Sequence, residues 1–337
     1  MAATLTKQDE LPARSGLKPV SIGRDLRGIA ELVEVCFAGR LDSQGRAAVR
    51  EMKTLAQFFP LLWILSALET LLPGVGVGAG VGYVWRDEGR LIGNASLYRA
   101  GAHPVLGPGW LIANVAVAPD YRRRGVARTM MHATLDRARR FGGQWAALQV
   151  ETNNLGAVYL YDSLGFQRYE QLTQWEAVSL RTGHRPQPVT NQWIIRRREP
   201  GEFKEAMDFV LNRARRGAMA WTLPLSRSDF SDFPLGARST GRDRWVLIDP
   251  AAPNRFQAVL WVEAATWSRT KMTLFVDPEY QNTEAVCALL SYVLYSPSIR
   301  SRVVRLEVET ISEAVSSMLR GSGFRLLRTL YQMRLAI

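Results

Sequence analysis

The chain has 337 residues, of which 47% are hydrophobic and 22% are charged, and its net charge is +12. This length allows two ordinary domains, and the composition is that of a globular protein. The basic excess is spread over both halves without a basic arm or tail, which argues against a nucleic-acid-binding segment. It fits an anionic small ligand, but it equally fits a general preference for arginine, because lysine is rare in this chain.

Cysteine, histidine and apolar patterning exclude further classes of protein. The two cysteines, Cys36 and Cys287, lie far apart in apolar helical contexts, so we expect buried free thiols and a reducing cytoplasm. The three histidines are scattered, and no metal site is expected. Residues 58–85 are apolar enough for a membrane span, but prolines and glycines interrupt them, which favours a buried helix followed by a strand. The first ten residues have no apolar core and are not expected to be a signal peptide.

Hydrophobic periodicity predicts alternating helices and strands in the first half. Helices are expected at residues 24–37, 43–57 and 61–71, followed by a hairpin at 82–85 and 91–98. Then come a strand at 111–118, a helix at 125–138, a strand at 144–150, a helix at 155–164 and one long bent strand or a strand pair at 166–178. Residues 181–189 are rich in proline and basic residues and are the expected linker between domains 1–183 and 190–337.

The most informative segment is the turn that follows the strand at 111–118. Pro119 stops the strand, and Tyr121-Arg-Arg-Arg-Gly-Val-Ala127 leads directly into a helix. Unpaired N–H groups and the helix dipole favour an anion at such a helix start. Gly125 lets the backbone approach a phosphate closely, because it has no Cβ. The turn therefore predicts a phosphate site, and the alternative is an ordinary exposed basic turn.

The second half repeats the first. Val150-Glu-Thr and Gly165-Phe166 recur as Val308-Glu-Thr and Gly323-Phe324, 158 residues later, and Val117-x-Pro-x-Tyr recurs as Val276-x-Pro-x-Tyr, 159 residues later. The copies differ at chemically important positions. Gln281, Glu284, Val286, Ser312 and Leu319 replace Arg122, Gly125, Ala127, Asn154 and Tyr161. A duplication is therefore expected in which the second copy keeps the core and loses the phosphate site.

Three linked blocks resemble the GNAT superfamily of N-acetyltransferases. They are Asn114-Val-Ala-Val-Ala-Pro119, the loop Arg122-Arg-Arg-Gly-Val-Ala127, and Asn154-x-x-Ala157-x-x-x-Tyr161 with Gly165-Phe166. The resemblance covers residues 18–180 and is weak in the second copy. It implies a mixed α/β fold of two tandem GNAT-like domains, each a twisted mixed sheet flanked by helices. It also implies acetyl-coenzyme A as cosubstrate and an amine as acceptor, with no metal.

The resemblance also implies which residues bind the coenzyme. The loop would surround the pyrophosphate with backbone N–H groups and arginine side chains, and the strand before it would pair with the pantetheine arm. Asn154 would contact the same arm, although it is equally suited to cap a helix. The implied set is Val115, Ala116, Val117, Arg122, Arg123, Arg124, Gly125, Val126, Ala127, Arg128, Asn154, Ala157 and Tyr161.

Two residues are candidates for proton transfer. The resemblance implies that Tyr161 is the general acid that protonates the departing thiolate; the alternatives are a core role for Tyr161 and acid catalysis by Tyr159. Glu151 is the best available general base, because the strand before the loop carries no acid. The recurrence of Glu151 as Glu309 favours a structural role, and a chain of water molecules could replace it.

We therefore expect an N-acetyltransferase that acts by direct attack in a ternary complex, as a pseudo-dimeric monomer or a homodimer. One alternative is a non-catalytic acetyl-coenzyme A sensor, and another is a nucleic-acid-associated acetyltransferase, which the even charge disfavours. The acceptor stays open. Residues that could border its pocket, with ordinary packing or partial exposure as the alternative, are Trp63, Glu69, Trp85 and Trp110.

Overall fold

The computed structural model describes residues 16–38, 49–50, 52–54, 81–100, 106–178, 192–214, 242–265, 269–281, 284–296, 299, 303–309 and 312–337. The chain divides into two compact units. The first consists of Met1–Ala147 with Ala336–Ile337, and the second of Leu148–Leu335.

The first unit contains an antiparallel sheet. Its strands β1 (Gly16–Pro19), β2 (Val81–Asp87), β3 (Arg90–Arg99) and β4 (Gly109–Val117) follow one another across the sheet. The predicted hairpin is confirmed, because β2 pairs antiparallel with β3. Its turn residues Glu88 and Gly89 have φ angles of 46° and 84°, the left-handed pair that a tight hairpin turn requires.

Two helices pack on this sheet, α1 (Ile22–Cys36) and α2 (Val126–Arg140). Leu32 of α1 and Met130 of α2 are buried in one hydrophobic cluster with residues of β3 and β4. Gly93 of β3 lies directly under α2, because a Cβ at this position would come within 3.0 Å of Met130. These contacts fix the start of α2 relative to the end of β4, where the predicted phosphate loop lies.

The second unit contains a mixed sheet whose strands are, in spatial order, β12 (Arg325–Ala336), β6 (Gln167–Ala177), β11 (Val303–Glu309), β10 (Arg269–Val276), β9 (Phe256–Ala265), β8 (Arg242–Ile248) and β7 (Ile194–Arg197). Neighbouring strands in this order pair antiparallel, except β10 and β11, which pair parallel. Strand β5 (Trp145–Glu151) runs from the first unit into the second and neighbours β12. The α-helices described in this unit are α3 (Leu155–Ser163), α4 (Phe203–Asp208), α5 (Glu284–Leu294) and α6 (Glu313–Gly321).

Both strands that pair with β6 lie near the C-terminal end of the sequence. It lies between β11 and β12 and pairs antiparallel with each. Glu176 of β6 accepts hydrogen bonds from Arg305 of β11 at 2.9 Å and from Arg325 of β12 at 3.0 Å. Residues 148–177 therefore belong to the second unit. They fall within the domain 1–183 that is predicted from the sequence. The expected linker at 181–189 lies outside the described residues.

The same order of elements occurs twice along the chain. In each half, a strand, a short 3-10 helix that begins with proline, a helix, a strand, a helix and a strand follow one another; the halves start at β4 and at β10. The predicted fold class, a mixed α/β protein with a mixed sheet flanked by helices, is confirmed. The predicted helix at 24–37 corresponds to α1, and residues 49–50 and 52–54 of the second are helical. The predicted helix at 61–71 lies outside the described residues.

Candidate functional site

The residue at the N-terminus of α2 has a left-handed conformation and open space around it. Gly125 is the N-cap of α2 with a φ of 79°, and no atom of the described residues lies within 4 Å of the position that a Cβ would take there. The hydrogen bonds of the helix begin with the Thr129 N–H to the Gly125 carbonyl at 3.0 Å. The first N–H groups of a helix, here those of Val126 and Ala127, have no acceptor within the helix itself. This arrangement can accept an anion such as a pyrophosphate.

Arg122 joins the loop to the end of β4. Its Nε donates to the carbonyl oxygen of Val117 at 3.1 Å, and the same oxygen accepts a hydrogen bond from Cys36 Sγ at 3.3 Å. Burial raises the pKa of the Cys36 thiol, although Arg122 beside it acts in the opposite direction. Arg122 therefore has a structural contact of its own, and its predicted contact with the coenzyme stays a prediction.

Arg123 and Arg124 are exposed, as are Arg122 and Arg128. Arg123 has a φ of 60°, so the loop holds a second left-handed residue two positions before Gly125. The guanidinium carbon of Arg124 lies 5.1 Å from the ring centre of Tyr121, whose hydroxyl donates to Asp87 at 2.7 Å. A non-glycine residue at positive φ is strained and occurs preferentially where function requires it. The conformation thus favours a binding loop over an ordinary basic turn.

A β-bulge interrupts β4 just before the loop. Asn114 has a φ of 53°, and the register between β3 and β4 shifts so that Asn114 and Val115 together face Ala95. The buried side chain of Asn94 donates from Nδ2 to the Asn114 carbonyl at 2.8 Å. The bulge is not among the features predicted from the sequence. The sequence does contain a signal for it, because asparagine is depleted in strands and Asn94 and Asn114 each interrupt an apolar strand.

The bulge bears on the residues expected to pair with the pantetheine arm. Val115 lies within the bulge, whereas Ala116 and Val117 are back in register with β3 and are buried. The Val117 carbonyl already accepts two hydrogen bonds, from Arg122 and Cys36. A bulge leaves backbone groups outside the strand ladder, so Val115 is the best placed of the three for a contact with a ligand.

In the second unit, Asn154 is the N-cap of α3. Its Oδ1 accepts a hydrogen bond from the Ala157 N–H at 3.4 Å. In the second half of the chain, Ser312 caps α6 in the same way, because its Oγ accepts from the Val315 N–H at 3.4 Å. The capping role that the sequence left open is therefore observed, and the replacement by serine preserves it. A contact of Asn154 or Ala157 with the coenzyme stays a prediction.

Tyr161 is a buried residue with a protonated hydroxyl. Only 6% of it is exposed, and its ring meets the Phe166 ring edge-on at a centroid distance of 6.0 Å. Burial raises the pKa of Tyr161 above its ordinary value, so the phenol is neutral at physiological pH and has a proton to donate. Leu319, at the matching position, is also buried, whereas Tyr159 is 74% exposed. The hydroxyl, rather than the burial, is what distinguishes the first copy here.

Glu151 forms an ion pair in the second unit. Its Oε1 lies 3.7 Å from a terminal nitrogen of Arg328, and its side chain is 19% exposed. Next to it, the Thr152 N–H donates to the Thr329 carbonyl at 3.0 Å. This pairing supports the structural alternative for Glu151, because the ion pair links the end of β5 to β12. Its role as general base stays a prediction.

The predicted site residues are thus distributed over both units. Val115–Val117 and the loop 122–128 lie in the first unit, and Glu151, Asn154, Ala157 and Tyr161 lie in the second. Among the candidate acceptor-pocket residues, Trp110 is buried against Phe141, with ring centres 5.8 Å apart, and Trp85 packs against the core near α1 and α2. Trp63 and Glu69 lie outside the described residues.

In the part of the chain that the structure describes, no three or more His, Cys, Asp and Glu side chains are grouped so that they could hold a metal ion. None of the helices described is both long and apolar enough to cross a membrane.

Sequence comparison identifies relatives of one region. Residues 50–166 match the profile of the family described as "Acetyltransferase (GNAT) family". N-alpha-acetyltransferase 30 of Schizosaccharomyces pombe is 32% identical over 93 residues, which are 28% of this chain and 61% of that protein. N-alpha-acetyltransferase RimI of Mycobacterium tuberculosis is 37% identical over 83 residues, or 25% of this chain and 49% of that protein. The [Ribosomal protein bS18]-alanine N-acetyltransferase of Escherichia coli is 40% identical over 53 residues, or 16% and 36%. The matches thus span less than two thirds of each relative.

Solved structures resemble almost the whole chain in fold. A GCN5-related N-acetyltransferase from Sphaerobacter thermophilus has a TM-score of 0.61 at 14% identity, covering 97% of this chain and 96% of that one. A tandem GNAT protein from the clavulanic acid biosynthesis pathway has a TM-score of 0.52 at 15% identity, covering 96% and 98%. The fold, the loop geometry and the profile match agree, and the chain contains a GNAT acetyltransferase domain.

Proposed function

We propose that this protein is an N-acetyltransferase that transfers the acetyl group of acetyl-coenzyme A to an amine acceptor. The observation that carries the proposal is the start of α2, where left-handed Gly125 leaves open space in front of the first N–H groups of the helix. A pyrophosphate fits such a site by charge and by the absence of a Cβ. The activities of the relatives, each matched over part of its length, support the same reaction.

The loop and the strand before it have separate tasks in this proposal. The N–H groups of residues 125–128 bind the pyrophosphate, and Arg123 and Arg124 add positive charge at the exposed rim. The backbone of the bulge at Val115 hydrogen-bonds the pantetheine arm. Both tasks orient the thioester, which removes much of the entropic cost of the reaction.

Proton transfer falls to residues of the second unit by their motif positions. The acceptor amine must be neutral to attack the thioester carbonyl, and the departing thiolate needs a proton. We assign the second task to Tyr161, whose phenol has a proton to donate at physiological pH because its pKa is high and burial raises that pKa further. Glu151 is the candidate base, either directly or through water, and its ion pair with Arg328 weakens this assignment relative to that of Tyr161.

We further propose that the chain is a tandem protein whose two repeated domains are residues 1–183 and 190–337, with residues 148–177 of the first repeat packed in the second compact unit. The repeated order of elements and the fold likeness to a tandem GNAT protein support this arrangement. Glu284 is the first residue of α5, where the first half has the open turn at Gly125, and its carboxylate would repel a phosphate. In this proposal the first half binds the coenzyme, and the second half contributes core and shape. A pseudo-dimeric monomer in the cytoplasm fits the duplicated fold and the free thiols of Cys36 and Cys287.

For the acceptor, we propose the free α-amino group of a polypeptide. The names of the relatives supply the support, since the matched proteins are N-alpha-acetyltransferases and a ribosomal-protein-alanine N-acetyltransferase. Polyamines, aminoglycosides, amino acids and lysine side chains are the competing acceptors. Peptides differ from these in offering a backbone next to the amine, which an enzyme can recognise by hydrogen bonds.

The full-length protein tests the proposal directly. Release of free thiol from acetyl-coenzyme A is measured with peptides that have a free N-terminus, with the same peptides already acetylated, and with small amines, and mass spectrometry locates the new acetyl group. Turnover with free peptides alone supports the assignment. Turnover with small amines but not with peptides changes the acceptor class. Absence of coenzyme A binding overturns the function itself.

The second candidate is a sensor that binds acetyl-coenzyme A without turnover. The ion pair of Glu151 with Arg328 favours it, because the carboxylate that is the candidate base is engaged with a guanidinium. In this case the thiol-release assay stays at background with every amine, while calorimetry detects binding of acetyl-coenzyme A.

A further inference from the structure

We propose that Asn94 is a positioning residue for acetyl-coenzyme A. Its buried amide holds the bulge of β4 and thereby keeps the backbone at Val115 outside the strand ladder, where the pantetheine arm can reach it. The inference rests on the proposed function, since it assigns a role within the same binding site. It concerns a residue that lies beside the binding strand, on β3.

The contacts of Asn94 are specific to the bulge. Asn94 is fully buried, and its Nδ2 donates to the Asn114 carbonyl at 2.8 Å and to Ser96 Oγ at 3.1 Å. Within the described residues its Oδ1 has no hydrogen-bond partner. Burial of an amide with an unpaired oxygen is costly, so packing alone does not account for asparagine at this position. The hydrogen bond to Asn114 stabilises a left-handed residue that is otherwise strained.

The second half of the chain shows the same strand pair without these features. The pairing of β9 with β10 is regular from Ala265/Arg269 to Ala258/Val276, with no shift in register. Gly93 pairs with Val117 and Ala258 pairs with Val276, so the next residues along the strands, Asn94 and Val259, correspond.

Val259 is fully buried, like Asn94, but its side chain has no hydrogen-bond donor. Only Leu274 faces Leu260 in the second half, whereas two residues, Asn114 and Val115, face Ala95 in the first, so β10 has no counterpart of the extra left-handed residue. The amide, the left-handed residue and the bulge are therefore present together in the first half and absent together in these described strands of the second.

The test replaces Asn94 by the residue of the second half, Asn94→Val, in the full-length protein. Calorimetry then measures binding of coenzyme A and of ADP, which has a pyrophosphate but no pantetheine arm. We expect the Kd for coenzyme A to rise about tenfold, which corresponds to the loss of one or two backbone hydrogen bonds. The Kd for ADP should stay within about twofold of the wild-type value. In turnover, KM for acetyl-coenzyme A should rise while kcat changes by less than about threefold. The control Ser96→Ala, which removes the other partner of Asn94, should keep the affinity for coenzyme A.

The outcomes separate the inference from the function on which it rests. Unchanged coenzyme A affinity in folded Asn94→Val overturns the positioning role, and so does an equal loss of coenzyme A and ADP binding. Wild-type protein that binds neither ligand overturns the proposed function instead. If Asn94→Val does not fold, Asn114→Thr acts on the same bulge from the neighbouring strand. It should then show the same selective loss of coenzyme A binding, and retained affinity overturns the inference.

Discussion

Replacement of Gly125 by alanine tests the phosphate site most directly. Gly125 has a φ of 79°, and no atom of the described residues lies within 4 Å of the position of the new Cβ. The cost to folding is therefore conformational only, about 1 kcal/mol for alanine in the left-handed region, and Tm should fall by about 2–4 °C. The cost to binding should be larger. The Cβ enters the space where the phosphate approaches, and a charge-assisted hydrogen bond contributes about 1.5–3 kcal/mol, so the Kd for coenzyme A should rise about ten- to a hundredfold.

Gly142→Ala is the matched control for this prediction. Gly142 follows the C-terminal end of α2, has a φ of 75°, and likewise has nothing described within 4 Å of a Cβ. Both variants should lose similar stability in thermal unfolding, but Gly142→Ala should bind coenzyme A like the wild type in calorimetry. If Gly125→Ala also binds like the wild type, the loop is not the phosphate site. If both variants lose affinity equally, the loss comes from the helix and not from the loop.

Three further predictions concern the second unit. Tyr161→Phe should lower kcat about a hundredfold with coenzyme A binding preserved, because it removes a proton donor and keeps the ring, whereas Tyr159→Phe should keep full activity; equal rates for both variants would exclude Tyr161 as the acid. Glu176→Ala should lower the free energy of unfolding, measured by urea titration, by about 3 kcal/mol, because it removes the carboxylate that pairs with Arg305, a side chain only 11% exposed. The control Glu313→Ala, at an exposed ion pair, should lower it by less than about 1 kcal/mol. Similar losses in the two variants would contradict the argument. Burial alone would raise the pKa of Glu176, but hydrogen bonds from both arginine partners outweigh it and lower the pKa. The stabilisation is therefore present above about pH 4.5 and lost as the pH falls through the lowered pKa, so the difference between wild type and Glu176→Ala should shrink in acid.

Local patterns predicted the elements that position the loop. The α1 helix, the β2–β3 hairpin, the end of β4 at proline and the start of α2 at Gly125 each depend on residues close in sequence. Apolar periodicity, turn residues and the conformational freedom of glycine act over a few positions, so the sequence displays them directly. The same is true of the capping role of Asn154, which the sequence left open beside a ligand contact and the structure shows.

Tertiary contacts decided the features that a local pattern cannot contain. Glu151 pairs with Arg328, far along the chain, and this contact changes the standing of Glu151 as a base. Strand β6 lies between β11 and β12, so the compact units divide before the predicted linker. Strand pairing depends on which apolar faces meet, and many registers satisfy one alternating pattern.

The sequence by itself determined the family resemblance, the mixed α/β class and the glycine turn that we propose as the phosphate site, because these reside in short motifs and in local backbone preferences. Only the tertiary structure showed that β4 is bulged at Asn114 and that the buried amide of Asn94 supports the bulge. The physical reason is that a bulge is a property of two paired strands. Each strand alone shows an asparagine in an apolar run, and the hydrogen bond between them exists only once β3 and β4 are in register.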